Sequence, residues 1–166
     1  MYLCVFYIYI GRSRYQLVRT LAPAVPTSVS EAWYWWYLPA WRDVSSFASF
    51  HIYPCGALCT ESPLNATQVS RAQALLATNI EAARNVSAPL PLVMGEWGVA
   101  GLSPLDRAWF YRSMYGVLRA ADLGSLFWDL SESDSTYGVL NPNGTLTPAA
   151  VAIAGELANR SSAAKQ

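Results

Sequence analysis

The stretch Pro91-Leu92-Val93-Met94-Gly95-Glu96-Trp97-Gly98 carries a short apolar run into a glutamate set between two glycines. A run of this length, bounded by proline and glycine, reads as a buried strand over Leu92 to Glu96. A carboxylate at the end of such a strand is costly to bury unless it is paired or used. In a barrel of parallel strands the C-terminal strand ends are where catalytic side chains stand, so Glu96 is the first candidate for chemistry. Gly95 and Gly98 then read as positions that let a ligand approach the backbone closely.

On either side of this strand the sequence alternates apolar runs with longer segments of helical period. Strand candidates are Gln16 to Thr20, Ser46 to Tyr53 and Ser125 to Asp129. Val69, Ala72, Leu75, Leu76, Ile80 and Ala83 recur at helical spacing and predict a helix over Thr67 to Arg84. Ser103, Pro104 and Asp106 supply a cap, a first-turn proline and a first-turn acid for a helix toward Ala121, and Thr147-Pro148 repeats that start signal for a last helix. Alternation of this kind predicts an α/β fold with a parallel sheet built from βαβ units. A complete eight-unit barrel typically needs about 250 residues, so the 166 residues here fit a partial TIM barrel, roughly strands five to eight.

Hydrophobic residues make up 53% of the chain and charged residues 13%, with seven Trp and ten Tyr, which excludes a disordered chain. Eleven basic side chains cancel eleven acidic ones, so nucleic acid and anionic membrane surfaces are not expected partners. The apolar segment Met1 to Ile10 is too short to span a bilayer as a helix, and Arg12, Arg14 and Arg19 follow it rather than precede it. It reads as a signal-anchor remnant or a mis-set start. The expected division is an apolar leader over residues 1–14, a half barrel over 15–160 and a tail over 161–166. Four of the six asparagines, Asn65, Asn85, Asn143 and Asn159, stand in N-x-S/T sequons, which suggests N-glycosylation and a secreted, extracellular route. Asn65 also stands where it would cap the helix that follows. Cys55 and Cys59 allow a short disulfide or two free thiols, since zinc would lack partner ligands. No metal and no cofactor are expected.

The run Ser49-Phe50-His51-Ile52-Tyr53-Pro54 holds the only histidine, and residues two apart on a strand share a face, so His51 and Tyr53 point the same way. Leu126-Phe127-Trp128-Asp129-Leu130 brings Trp128 toward a polar loop, where an indole face can stack on a sugar ring.

Taken together and in this order, "SFHIYP", "PLVMGEWG", "LFWDL" and "YGVLNPNGTLTP" resemble strands six to eight of the clan A glycoside hydrolases, family 5 in particular, over roughly Ser46 to Ala150. The resemblance implies a retaining glycosidase acting on a β-glucan or β-mannan type of glycan, with two carboxylates about 5 to 5.5 Å apart. It implies Glu96 as nucleophile, Tyr53 as its hydrogen-bond donor, His51 as a substrate-binding neighbour and Trp128 as a sugar platform; Trp97 reads as a further substrate contact. In that family the acid/base glutamate follows an asparagine on strand four, and no Asn-Glu pair occurs here. Glu31, within "SVSEAWYWW", reads as a loop or helix-start acid. A second reading is a non-catalytic carbohydrate-binding remnant with an aromatic rim of Trp33, Trp35, Trp36, Trp97 and Trp128. Either way the partner is a polysaccharide or oligosaccharide, and a half barrel with two open edges is expected to be unstable or self-associating, its acid/base half supplied by another chain or lost through a truncated product or an incomplete gene model.

Overall fold

The computed structural model describes residues 16–28, 30–31, 38–43, 45–56, 59, 63–128, 137–141 and 143–163. Met1 to Ile10, Trp33, Trp35, Trp36 and Asp129, all part of the expectations above, lie outside the described residues.

Residues 16–21 form a short helix, α1, not the strand expected at Gln16 to Thr20. The Thr20 hydroxyl donates to the Gln16 carbonyl at 2.9 Å and the Ala22 N–H to that of Val18 at 2.8 Å. The apolar residues Leu17, Val18 and Leu21 are spaced for one helix face rather than alternating, and all three remain exposed. The sheet begins instead at β1, Ser30–Glu31. Glu31 therefore lies in a strand, with its backbone in register with Phe50, and is not the loop or helix-start acid expected.

After α2, Leu38–Trp41, come β2, Ala48–His51, and α3, Ala66–Ser87. They are followed by β3, Leu92–Trp97, α4, Pro104–Ala120, β4, Gly124–Phe127, and α5, Pro148–Ala163. The four strands pair in chain order and in parallel. Each long helix starts where its sequence stops the preceding loop. Asn65 and Gln68 exchange side-chain-to-backbone bonds in a capping box, the Ser103 hydroxyl accepts from the Asp106 N–H, and the Thr147 hydroxyl accepts from the Ala150 N–H.

The core lies between the sheet and its helices. Phe50, Ile52, Met94 and Trp97 face outward from the strands and are buried against Val69, Leu76 and Ile80 of α3 and Tyr111, Met114 and Leu118 of α4. The opposite face carries Ser49, His51, Val93, Gly95 and Leu126, and Leu126 is 65% exposed.

Strand β3 contains the irregularity that positions the site. Phe50 pairs with Met94 but His51 with Glu96, and Met94 pairs with Ser125 but Trp97 with Phe127. Against both neighbours β3 thus carries one extra residue between Met94 and Trp97, a β-bulge. Strict alternation would send Glu96 outward with Met94 and Trp97 inward with Val93. The bulge reverses both, since an inserted residue re-aims the side chains beyond it.

Candidate active site

At the C-terminal end of β2 and β3, Tyr53, His51 and Glu96 meet. The Tyr53 hydroxyl donates to Glu96 Oε1, and His51 Nδ1 stands 2.9 Å from Glu96 Oε2. A carboxylate oxygen only accepts, so His51 Nδ1 carries the hydrogen. The two oxygens of Glu96 are held by different donors, one at the end of β2 and one just past it, which fixes the plane of the carboxylate. Glu96 and His51 are both largely but not fully buried, so the pair is open on one side.

The electrostatics follow from this half-burial. Burial lowers the His51 pKa below its ordinary 6.5, against the opposing pull of the Glu96 charge, so the imidazole is neutral near pH 7. Burial, then the hydrogen bond to Glu96 and its charge, push the Tyr53 phenol far above its usual range. Tyr53 is therefore a permanent donor toward Glu96 and not a base.

Gly95 and Gly98 are both required by protein contacts. A Cβ on Gly95 would collide with the Ser49 hydroxyl and crowd the His51 ring, and one on Gly98 would collide with the Trp128 carbonyl oxygen. Gly95 thus makes the seat of His51. Gly98 lets the backbone after β4 cross over the backbone after β3.

Trp128 reaches the same end through that crossing, its N–H donating 2.7 Å to the Trp97 carbonyl one residue beyond Glu96. Its side chain is 47% exposed. Trp97 does not join it. Its indole is fully buried on the outward face, edge-on to Tyr111 and Tyr115 with centroids 5.2 Å away in each case, so the expected substrate contact is a core residue.

Tyr137 was given no role by the sequence and stands beside the site. Its ring meets that of Tyr53 edge-on, with centroids 5.5 Å apart. Arg107 of α4 secures this segment by donating 2.8 Å to the Gly138 carbonyl, and Thr147 does so by donating 2.6 Å to that of Val139. The quoted motif begins at Tyr137, which was the one signal for it. Just past Tyr53, Cys55 and Cys59 form a disulfide whose Cα atoms are 5.0 Å apart, and both sulfur-bearing residues are buried. Of the sequon asparagines, Asn65 caps α3, Asn85 is exposed in its last turn and Asn143 is exposed in a turn, its Oδ1 accepting from the Thr145 N–H and hydroxyl. Asn159 lies in α5, with its side chain outside the described residues.

Among the described residues no cluster of three or more His, Cys, Asp or Glu could hold a metal ion, and no helix is long and apolar enough to cross a membrane.

No protein-family model matches the chain, and no curated protein sequence does. Solved structures do match by fold. The cellulose synthase subunit Z of Clostridioides difficile aligns over 88% of this chain and 53% of its own, with a TM-score of 0.58 and 14% identity. A GH5-4 broad specificity endoglucanase from Clostridium cellulovorans aligns over 69% of this chain and 37% of its own, with a TM-score of 0.51 and 17% identity. An endoglucanase aligns over 66% and 39%, with a TM-score of 0.50 and 13% identity. The chain spans about half or less of the length of these structures. Its fold is that of part of a (β/α)8 barrel, like that of the matching endoglucanases.

Proposed function

We propose that this chain is the nucleophile-bearing half of a retaining glycosidase acting on β-linked glycans of the β-glucan or β-mannan type, made in the secretory pathway and carrying N-linked glycans. The observation that carries the proposal is the carboxylate of Glu96, gripped at both oxygens by Tyr53 and His51 at the C-terminal end of parallel strands. A nucleophilic carboxylate must meet the anomeric carbon in one orientation, and two fixed donors supply it. In the double displacement, a Glu96 oxygen bonds to the anomeric carbon as the bond to the leaving oxygen breaks, and an acid elsewhere protonates that oxygen. Water then attacks the same carbon, with that acid, now a base, taking its proton, and frees Glu96. Neutral His51 and the phenol of Tyr53 remain donors throughout, and Trp128 offers its exposed indole to a sugar ring.

The acid/base carboxylate has no counterpart in this sequence, so natural glycans should be turned over negligibly by this chain alone. General acid catalysis is worth about a hundredfold to ten-thousandfold. The decisive experiment removes the need for the acid. A 2-deoxy-2-fluoro-β-glucoside or mannoside with a dinitrophenolate leaving group should form a stable covalent adduct, read by mass spectrometry on the peptide holding Glu96. Glu96→Gln should remain unlabelled. An adduct on another residue, or equal labelling of the variant, overturns the assignment. The absence of the Asn-Glu pair favours a second reading, a carbohydrate-binding remnant. It predicts saturable binding of oligosaccharides that depends on Trp128, with no adduct at all.

A further inference from the structure

We propose that Tyr137 is a positioning residue, whose ring holds the Tyr53 phenol on Glu96 and so ties the carboxylate to helices α4 and α5. Its part in catalysis rests on Glu96 being the nucleophile. The ring contact does not, and each has its own measurement.

Tyr53 is in need of such support. Strand β2 ends at His51, so Tyr53 stands just past the paired strand. The Ile52 N–H still donates 3.1 Å to the Glu96 carbonyl, but the Tyr53 carbonyl already turns to accept from the Gly56 N–H at 3.2 Å. A phenol that turns about two side-chain bonds has several staggered positions open to it. Its hydroxyl is the far end of that lever, so a small swing of the ring takes it off Glu96 Oε1.

Tyr137 supplies the stop. Its ring stands edge-on to that of Tyr53, with centroids 5.5 Å apart and planes at 70°, an arrangement that aromatic pairs favour. The same ring lies close to the backbone after β3, since a Cβ on Gly98 would be 3.3 Å from Tyr137 Cδ1. The residues that follow are anchored to both outer helices. Arg107 of α4 donates 2.8 Å to the Gly138 carbonyl, and the N–H and hydroxyl of Thr147, at the start of α5, both donate to the carbonyl of the buried Val139. Tyr53 is thus held at its hydroxyl by Glu96 and at its ring by Tyr137. Burial and then Glu96 keep the Tyr53 phenol protonated, and Tyr137 adds to them.

The test is the rate at which the dinitrophenyl fluoroglucoside or fluoromannoside labels Glu96 in the full chain. Tyr137→Ala should lower the labelling rate at saturation about 3–10-fold, the worth of one edge-on aromatic pair, and move the half-saturating concentration less than about twofold. Tyr137→Phe keeps the ring and should stay within about twofold of wild type. In a Tyr53→Phe background Tyr137→Ala should add nothing, because the hydroxyl it acts through is gone, whereas a general weakening of the fold would slow labelling in both backgrounds. Should Tyr137→Ala fail to fold by far-ultraviolet circular dichroism, Tyr137→Leu, which keeps bulk without a ring, takes its place. The proposal is overturned by a Tyr137→Phe as slow as Tyr137→Ala, by a full effect in the Tyr53→Phe background, by a change in half-saturation alone, or by undiminished labelling in Tyr137→Ala. The last result would leave Glu96 as nucleophile. A wild type that takes no label ends the nucleophile reading and with it the catalytic part of this role. The contact is then decided by nuclear magnetic resonance of tyrosine-labelled protein: the Tyr53 ring signals, assigned through Tyr53→Phe, should move in Tyr137→Ala and hold their place in Tyr137→Phe, and signals that ignore Tyr137→Ala overturn it.

Discussion

The two faces of the same four-stranded sheet are built on different terms. Outward, Phe50, Met94 and Trp97 are sealed by α3 and α4, and their neighbours are apolar side chains and aromatic edges. Inward, at the C-terminal end, the bulge in β3 trades that regularity for a gripped carboxylate, and Leu126 stays in water. The outward face secures the fold. The inward face presents the candidate site at its C-terminal end. One residue shows how close the two are: Glu96 and Trp97 are adjacent, and the bulge alone decides which is buried.

The largest effect that would sharpen this contrast is at Trp97. Trp97→Ala deletes a fully buried indole and its contacts with Tyr111 and Tyr115, and should destabilise the chain by about 3–5 kcal/mol in urea unfolding. A loss below about 1 kcal/mol would mean that the indole is not part of the core, and the division between the faces would break. On the inward side, Glu96→Gln should change stability by less than about 1 kcal/mol while abolishing covalent labelling.

Between these lies Gly98, where the two strand ends cross. Gly98→Ala drives a methyl group against the Trp128 carbonyl, a backbone atom that cannot swing away, and should cost about 1–3 kcal/mol. Gly95→Ala meets a serine hydroxyl and an imidazole instead, side chains that can turn. It should cost less in stability and more in labelling rate, because it unseats His51. Equal effects of the two on both measurements would show that the glycines serve the fold alike.

Much of this was legible in the sequence, for reasons that can be named. Helix α3 announces itself through six apolar residues at one spacing and a cap at Asn65, and α4 and α5 through Ser103-Pro104 and Thr147-Pro148. His51 and Tyr53 both reach Glu96, as a two-residue spacing reads, although β2 ends at His51 and Tyr53 stands just past it. Alternation fails on β3, because a bulge is a backbone event with no fixed sequence mark beyond a glycine. Trp97, expected to touch substrate, is turned into the core by that bulge. The first strand was sought in an apolar run that is helical, whereas β1 has two paired residues, too few to show any period. The tie between Arg107 and Gly138 joins residues 31 apart, and no local pattern encodes such a pairing.

The smallest effect, and the one that tests how dry the inward site is, concerns pH. Two forces act on His51: burial lowers its pKa, and the Glu96 charge raises it, with burial the larger. If burial wins, the unfolded chain binds more protons than the folded one wherever pH lies between the lowered value and the ordinary 6.5. The slope of unfolding free energy against pH is then positive in that window, so stability falls as the solution is acidified through 6.5 and levels off below the folded value. His51 is the only histidine, so His51→Gln removes every imidazole from the titration, and the difference between wild type and variant isolates this group. Urea unfolding at half-unit steps from pH 4.5 to 8 should show wild type losing stability relative to the variant on the acid side. The opposite sign would mean that the 2.9 Å approach to Glu96 outweighs desolvation. The site would then be a charged ion pair in contact with water, and its imidazolium would be a proton carrier rather than the neutral donor described above.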